Sequence, residues 1–169
     1  MKLIFKFLFG LALLFTTLQA EEPKIDPQYL PLDIELAASY TRDNRWYFVG
    51  RSSSDWIFFD TKTAEYDKKT KILTGWFTWF RTPYGREQYI QRAKESNFYN
   101  SYKHDNLSYS IQKERWSLSS NRWMILNVAD YSTEGSVVDQ STYKNPEWYE
   151  ILPNSVGEKI LENLKKRYR

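Results

Sequence analysis

The chain has 169 residues, with 24 basic against 21 acidic side chains, 18% aromatic content, one histidine and no cysteine. That balance gives no global attraction for nucleic acid or anionic lipid. The missing cysteine removes disulfide frameworks and thiolate metal sites from consideration.

Residues 1–20, MKLIFKFLFGLALLFTTLQA, read as a signal peptide. Lys2 and Lys6 form the positive end, Leu8 to Phe15 the apolar centre, and Ala20 the small residue at the cut. The apolar run falls short of the ~20 residues that span a bilayer. The mature chain is therefore expected to begin at Glu21, outside the cytoplasm, with no membrane span. No cysteine follows the signal, so no acyl anchor is expected. What remains is one ordinary domain, large enough to hold a core without staples.

Residues 21–44 carry Pro23, Pro27 and Pro31 and read as an extended leader, with room for one helical turn in LDIELAASY. The domain proper is placed at 45–169. RWYFVGR, DWIFFDTKTAEYD and ILTGWFTWF are dense in aromatic and β-branched residues, and SSSD and KKTK punctuate them. The third run is apolar on both faces, with Ile72, Trp76 and Phe80 on one and Leu73, Phe77 and Trp79 on the other, so a central strand covered on both sides is expected. Pro83 and Gly85 break the pattern, and a short helix is expected from Arg86 to Glu95. Asn97 to Asn106 reads as a long tyrosine-rich loop. LSYSIQKERWSLS and RWMILNVADYS follow, joined at Ser119-Ser120-Asn121, and Thr133-Glu134-Gly135 marks a second hairpin leading into SVVDQSTY.

Near the C-terminus Pro153 ends an aromatic segment, and Ser155 with Glu158 has the spacing of a capping box. Val156, Ile160, Leu161, Leu164 and Tyr168 fall on one helical face, and the basic tail complements the helix dipole. The expected architecture is α+β: a single antiparallel sheet of about six strands with the C-terminal helix packed on one face.

Three strings, DWIFFDTKTAEYDKKTKILTGWFTWF, WSLSSNRWMILNVADYSTEGSVV and EWYEILPNSVGEKI, resemble the bacterial surface-adhesin E family. The likeness runs from Arg45 to Leu164 with a gap over the Thr82–Asn106 insert. Its most specific part is Ser155-Val156-Gly157-Glu158 after Pro153. The resemblance implies an antiparallel sheet backed by a C-terminal helix, surface or periplasmic placement, binding of host matrix or envelope proteins, and a homodimer. Two departures stand against it. Ser120 occupies a position where many members carry a cysteine, and the lipoprotein cysteine is missing.

No residue pattern announces a reaction. His104 has only its sequence neighbour Asp105 in a polar loop, which is no nucleophile–base pair. Asp55, Asp60, Glu65 and Asp67 sit where strands end and turns begin, a structural placement. Gly75 to Phe80 superficially matches an RNA-stacking strand but reads as core in an exported chain. Asn106-Leu107-Ser108 fits a glycosylation acceptor by coincidence. No enzyme activity, metal or cofactor is expected, and no nucleic acid. The one candidate contact site is the basic turn of Lys68, Lys69 and Lys71, where charges on a projecting hairpin could meet an acidic protein partner; a solvated turn is the bland alternative. The second function read from the residues is a small-ligand or carbohydrate-binding module using exposed aromatics, among them the Phe98–Tyr102 loop.

Overall fold

The computed structural model describes residues 26–95 and 106–168. The signal peptide, His104 and the Phe98–Tyr102 loop lie outside the described residues. The strands are β1 (Trp46–Arg51), β2 (Asp55–Asp60), β3 (Glu65–Asp67), β4 (Ile72–Arg81), β5 (Leu107–Ser117), β6 (Arg122–Ser132), β7 (Val137–Thr142) and β8 (Tyr149–Glu150). The helices are α1 (Ile34–Arg42), α2 (Pro83–Glu95) and α3 (Val156–Arg167), preceded by a 3-10 turn at Pro27–Tyr29. Every strand pair is antiparallel, in the order β1-β2-β4-β5-β6-β7, with β3 on β4 and β8 on β6.

The sheet thus has eight strands, where about six were expected. The difference has a local cause. DWIFFDTKTAEYD is divided at Asp60, whose carboxylate accepts from the Lys62 amide and from both Nε and Nη2 of Arg45, at 3.0, 2.9 and 2.6 Å. That corner turns the chain and starts β3. The other extra strand is the two-residue pairing of Tyr149 and Glu150 with Trp123 and Arg122.

β4 is central; α3 covers one face, while the other is buried only at Thr78 and Phe80, so the expected cover on both sides holds at that end of the strand. On one face Leu73 and Phe77 join Val49, Ile57, Phe59, Trp116 and Leu118 beneath Ile160, Leu161 and Leu164 of α3. Each of those three helix side chains is buried, worth about 1.5–3 kcal/mol apiece. Gly75 makes this layer possible, since a Cβ there would lie 2.6 Å from Cε2 of Phe59. Ser155 caps α3 through its Oγ, which accepts from the Glu158 amide at 3.2 Å. The Glu158 carboxylate reaches back to the Asn154 amide at 2.6 Å, one residue earlier than a standard capping box.

The opposite face is closed over β2 and β4 by α1, so the described part of the leader carries a nine-residue helix and not one turn. Asp33 caps it by accepting from Leu36 N at 3.0 Å. Tyr40 stacks on Trp46 at 4.1 Å and meets Phe58 and Phe80 edge-on. Ala37, Phe58 and Phe80 are the buried centre of this second core.

α2 begins at Pro83 and not at Arg86. Thr82 acts as its N-cap, accepting from Gly85 N at 3.0 Å while donating to the Ser53 carbonyl at 2.6 Å. A proline at the first helical position starts a helix, because its missing N–H has no intrahelical partner to lose. Gly85 fits because its Cβ would fall 2.0 Å from the Ser54 carbonyl oxygen.

Candidate functional site

The α3 face of the sheet carries an aromatic recess that no single motif announces. Leu73, Trp116, Trp123 and Tyr149 form one continuous rung across β4, β5, β6 and β8. Trp116 and Trp123 stack at 5.8 Å, and Trp123 meets Tyr149 at 5.9 Å. The start of α3 overhangs this rung and leaves a pocket of about 240 Å³, lined by Trp79, Trp116, Trp123, Ile151, Val156 and Ile160 among others. Leu152 lines its mouth and is 66% exposed, and Tyr149 is 51% exposed. The Ile151 amide donates to the Asn121 carbonyl at 3.0 Å, which fixes the rim to the β5–β6 turn.

Behind the pocket wall lies Glu114, fully buried. Trp79 Nε1 donates to one carboxyl oxygen and Trp116 Nε1 to the other, each at 2.8 Å. Burial pushes its pKa up to about 8 despite the two indole donors, which favour the ionised form. Both oxygens are engaged by the pocket's own walls, so Glu114 holds the two rings in place.

Further along the same face, toward α2, runs a polar chain. Arg81 donates to Asp55 and, at 3.1 Å, to Ser110 Oγ; Ser110 donates to Asp130, which also accepts from the Tyr89 hydroxyl at 3.3 Å. Burial raises Asp55 above the usual carboxylate range although Arg81 opposes the shift. Burial, with Asp130 adding to it, pushes the Tyr89 hydroxyl to about 12. Asp60 behaves in the opposite sense. Burial acts to raise it, but Arg45, the Lys62 amide and Thr63 together hold it below the ordinary value. Among the described residues no group of three or more His, Asp or Glu could hold a metal ion.

The structure places Lys68, Lys69 and Lys71 on the exposed β3–β4 turn. The turn is preorganised: Asp67 accepts from the Lys69 amide at 2.8 Å and from the Thr70 hydroxyl at 2.6 Å. These contacts lower the Asp67 pKa. Lys71 takes a left-handed backbone with φ of 59°, its amide donating to the Asp67 carbonyl and its carbonyl accepting from Leu118 N at 2.9 Å. Lys71 lies two residues beyond Leu73, about 7 Å along the strand, so the basic turn and the aromatic rung occupy the same end of the sheet. Asp55, Asp60, Glu65 and Asp67 are not brought together as a carboxylate pair facing a cleft; Asp55 and Asp60 close opposite ends of β2 with an arginine each.

Trp79 shares the Leu73 and Phe77 face as expected, and the residues missed from sequence are Glu114, Trp116 and Trp123. A signal existed in QKERWS. A carboxylate two residues before a tryptophan on a strand shares its face, and that face had to be the buried one to accommodate the ring.

No known protein family and no curated protein sequence matches the chain. Solved structures similar to it include two of one protein. One is "The structure of Haemophilus influenzae protein E", with a TM-score of 0.47, 8% identity, and coverage of 75% of this chain and 87% of that one. The other is crystal form II of the same Haemophilus influenzae protein, with a TM-score of 0.48, 7% identity, and coverage of 75% and 91%. At these identities neither structure transfers a ligand or a partner to this chain.

Proposed function

We propose that the chain is an exported, non-enzymatic binding protein that takes an apolar side chain of a host or envelope protein into the tryptophan pocket. The observation that carries this is the pocket itself, with exposed Leu152 in its lining and exposed Tyr149 against the Trp123 ring. A desolvated aromatic cavity bordered by exposed apolar groups is the anatomy of a protein-contact anchor point. The basic turn stands at the same end, where Lys68, Lys69 and Lys71 steer an acidic partner toward the anchor. A binding role and not a catalytic one is supported by how the buried acids are engaged: Glu114 by two indoles, Asp60 by Arg45, Asp55 by Arg81, Asp130 by Ser110 and Tyr89.

The test is surface plasmon resonance of the mature protein against a panel of immobilised extracellular-matrix proteins and against itself. Leu152→Asp is expected to weaken binding at least ~10-fold, mainly through faster dissociation. Changing Lys68, Lys69 and Lys71 to Glu is expected to slow association, and wild-type association should slow as salt rises, because exposed charges are screened beyond about 8 Å at 0.15 M. Leu152→Asp binding as tightly as wild type would remove the pocket from the interface. Salt-insensitive association, or equal on-rates for the triple variant, would remove the turn.

A further inference from the structure

The face of the sheet turned away from α3 carries a second aromatic feature, and α1 does not reach it. α1 packs on Phe58, Phe80 and Trp46, and Tyr109 at the start of β5 borders that cluster. Over β5 the same face is half-exposed along its length, at Tyr109, Ile111, Lys113 and Arg115, while every side chain pointing the other way is buried. Trp76 belongs to this uncovered area. It is half-exposed and lies in one rung with Lys113, Asn127 and Thr142 of β5, β6 and β7.

The Trp76 ring is partly covered by its neighbours, but neither helix closes over it, so one part of the indole stays available to a ligand. Its surroundings are specific. A shallow recess of about 310 Å³ is lined by Trp76, Asn127, Ala129, Gln140, Ser141 and Thr142, with Val128 completing the wall. Ala129 stands in register with Gln140, and its small side chain leaves the floor low between the Trp76 ring and β7. Asn127 Nδ2 donates to Thr142 Oγ1 at 2.8 Å. That bond orients the Asn127 amide and leaves its carbonyl oxygen, its second N–H and the Thr142 hydroxyl able to meet a ligand. Lys113 Nζ sits 6.0 Å from the Trp76 ring centroid, at the limit of a cation–π contact.

We propose that this recess binds a saccharide: Trp76 stacks under the pyranose ring while Asn127, Gln140 and Thr142 hydrogen-bond its hydroxyls. The face of an indole carries partial negative charge, and the polarised C–H groups on one side of a pyranose are its complement. A sugar also presents closely spaced hydroxyls that both donate and accept, which suits two amides and a hydroxyl better than it suits an ion or an apolar chain. The platform extends along the strands. Four residues further on, about 13 Å away, Tyr109 and Tyr131 stack at 4.9 Å with their rings 5° from parallel, both half-exposed on this face. An oligosaccharide lying along β5 and β6 would therefore meet aromatic rings at both ends. The site is independent of the tryptophan pocket, which lies on the other side of the sheet.

The test is isothermal titration calorimetry of the mature protein with cellohexaose and chitohexaose as neutral probes and a hyaluronan hexasaccharide as an acidic one. At least one probe is expected to bind with a Kd of about 1 mM or tighter. Trp76→Ala should weaken that binding at least ~10-fold, and Asn127→Ala, a smaller change that leaves the indole in place, should weaken it less; a cooperative thermal melt of each variant shows that it is folded. Lys159→Ala, exposed on α3 on the far side of the sheet, should bind the probe like wild type. Preference for the neutral hexasaccharides would mark a site that reads hydroxyls alone, and preference for hyaluronan with salt dependence would bring Lys113 into it. No binding of any of the three probes by the wild type, or binding that Trp76→Ala leaves unchanged, would overturn the proposal.

Discussion

Glu114→Gln tests the central packing of the α3 face through its effect on stability as a function of pH. The Glu114 carboxyl is fully buried, with a pKa raised from 4.5 to about 8 by desolvation. A raised carboxyl pKa means the folded protein keeps a proton that the unfolded chain releases. Its contribution is fully present below pH 4.5 and is lost as pH rises through the folded value. Each pH unit in that window removes about 1.4 kcal/mol, so roughly 3 kcal/mol of stability has gone by pH 7 and about 4 kcal/mol by pH 8. Glutamine keeps one carbonyl oxygen for one indole but turns an NH₂ toward the other, at a pH-independent cost of about 1–3 kcal/mol. Wild type should therefore be the more stable protein at pH 5, and Glu114→Gln the more stable at pH 8. Urea melts of both proteins across this range isolate the effect, because all other titrating groups cancel in the difference. Parallel stability curves would show that Glu114 is ionised in the fold and that the two indole bonds outweigh burial.

Leu161→Ala should cost about 2–5 kcal/mol, since its side chain is buried beneath α3, whereas exposed Lys159→Ala should cost under about 1 kcal/mol. Equal effects in urea melts would place the wrong helix face on the sheet. Gly85→Ala should lower stability by about 3 kcal/mol or more, because its Cβ would lie 2.0 Å from a Ser54 carbonyl already bound by Thr82; an unchanged melting temperature would refute that packing. Asp60→Asn should cost about 1–3 kcal/mol at pH 7, discounted for an Arg45 side chain that is 40% exposed. With a depressed carboxyl pKa the sign is opposite to that of Glu114, so this difference should shrink as pH falls below 3.8. A gap that stays constant between pH 7 and pH 3 would separate Asp60 from the ion pair.

Much of the fold was legible because period and punctuation agreed. The α3 stripe of Val156, Ile160, Leu161, Leu164 and Tyr168 packs as its spacing implies. Asn121 and Gly135, both at positive φ, turn the two hairpins marked by their sequences. The errors came where a residue has two readings. Pro83 reads in the sequence as a break, yet with Thr82 ahead of it as a cap the same proline is a beginning. The α1 helix was undersized because its apolar face is short, Leu36, Ala37 and Tyr40, and depends on aromatic partners in β1, β2 and β4 that are distant in sequence. The pocket was invisible for a similar reason: Trp79, Trp116 and Trp123 come from three strands, and only the register of the sheet brings them together.

That register also decides which face each candidate site occupies, and Trp116 fixes it. Strand β5 alternates two sets, Ser108, Ser110, Gln112, Glu114 and Trp116 against Tyr109, Ile111, Lys113 and Arg115. Judged by hydrophobicity alone, the second set has as good a claim on the core as the first, and a one-residue slip would exchange them. Burying Trp116 against Phe77, 5.8 Å away, and Trp123 removes a large apolar area from water, but it carries Glu114 inward with it. The cost of that buried carboxyl is reduced by the indole of Trp116 itself and by Trp79. The same choice turns Lys113 outward, and because Phe77 is committed to the α3 core, its neighbour Trp76 must face the other way. The pocket on one side and the indole platform on the other are thus two consequences of a single strand register.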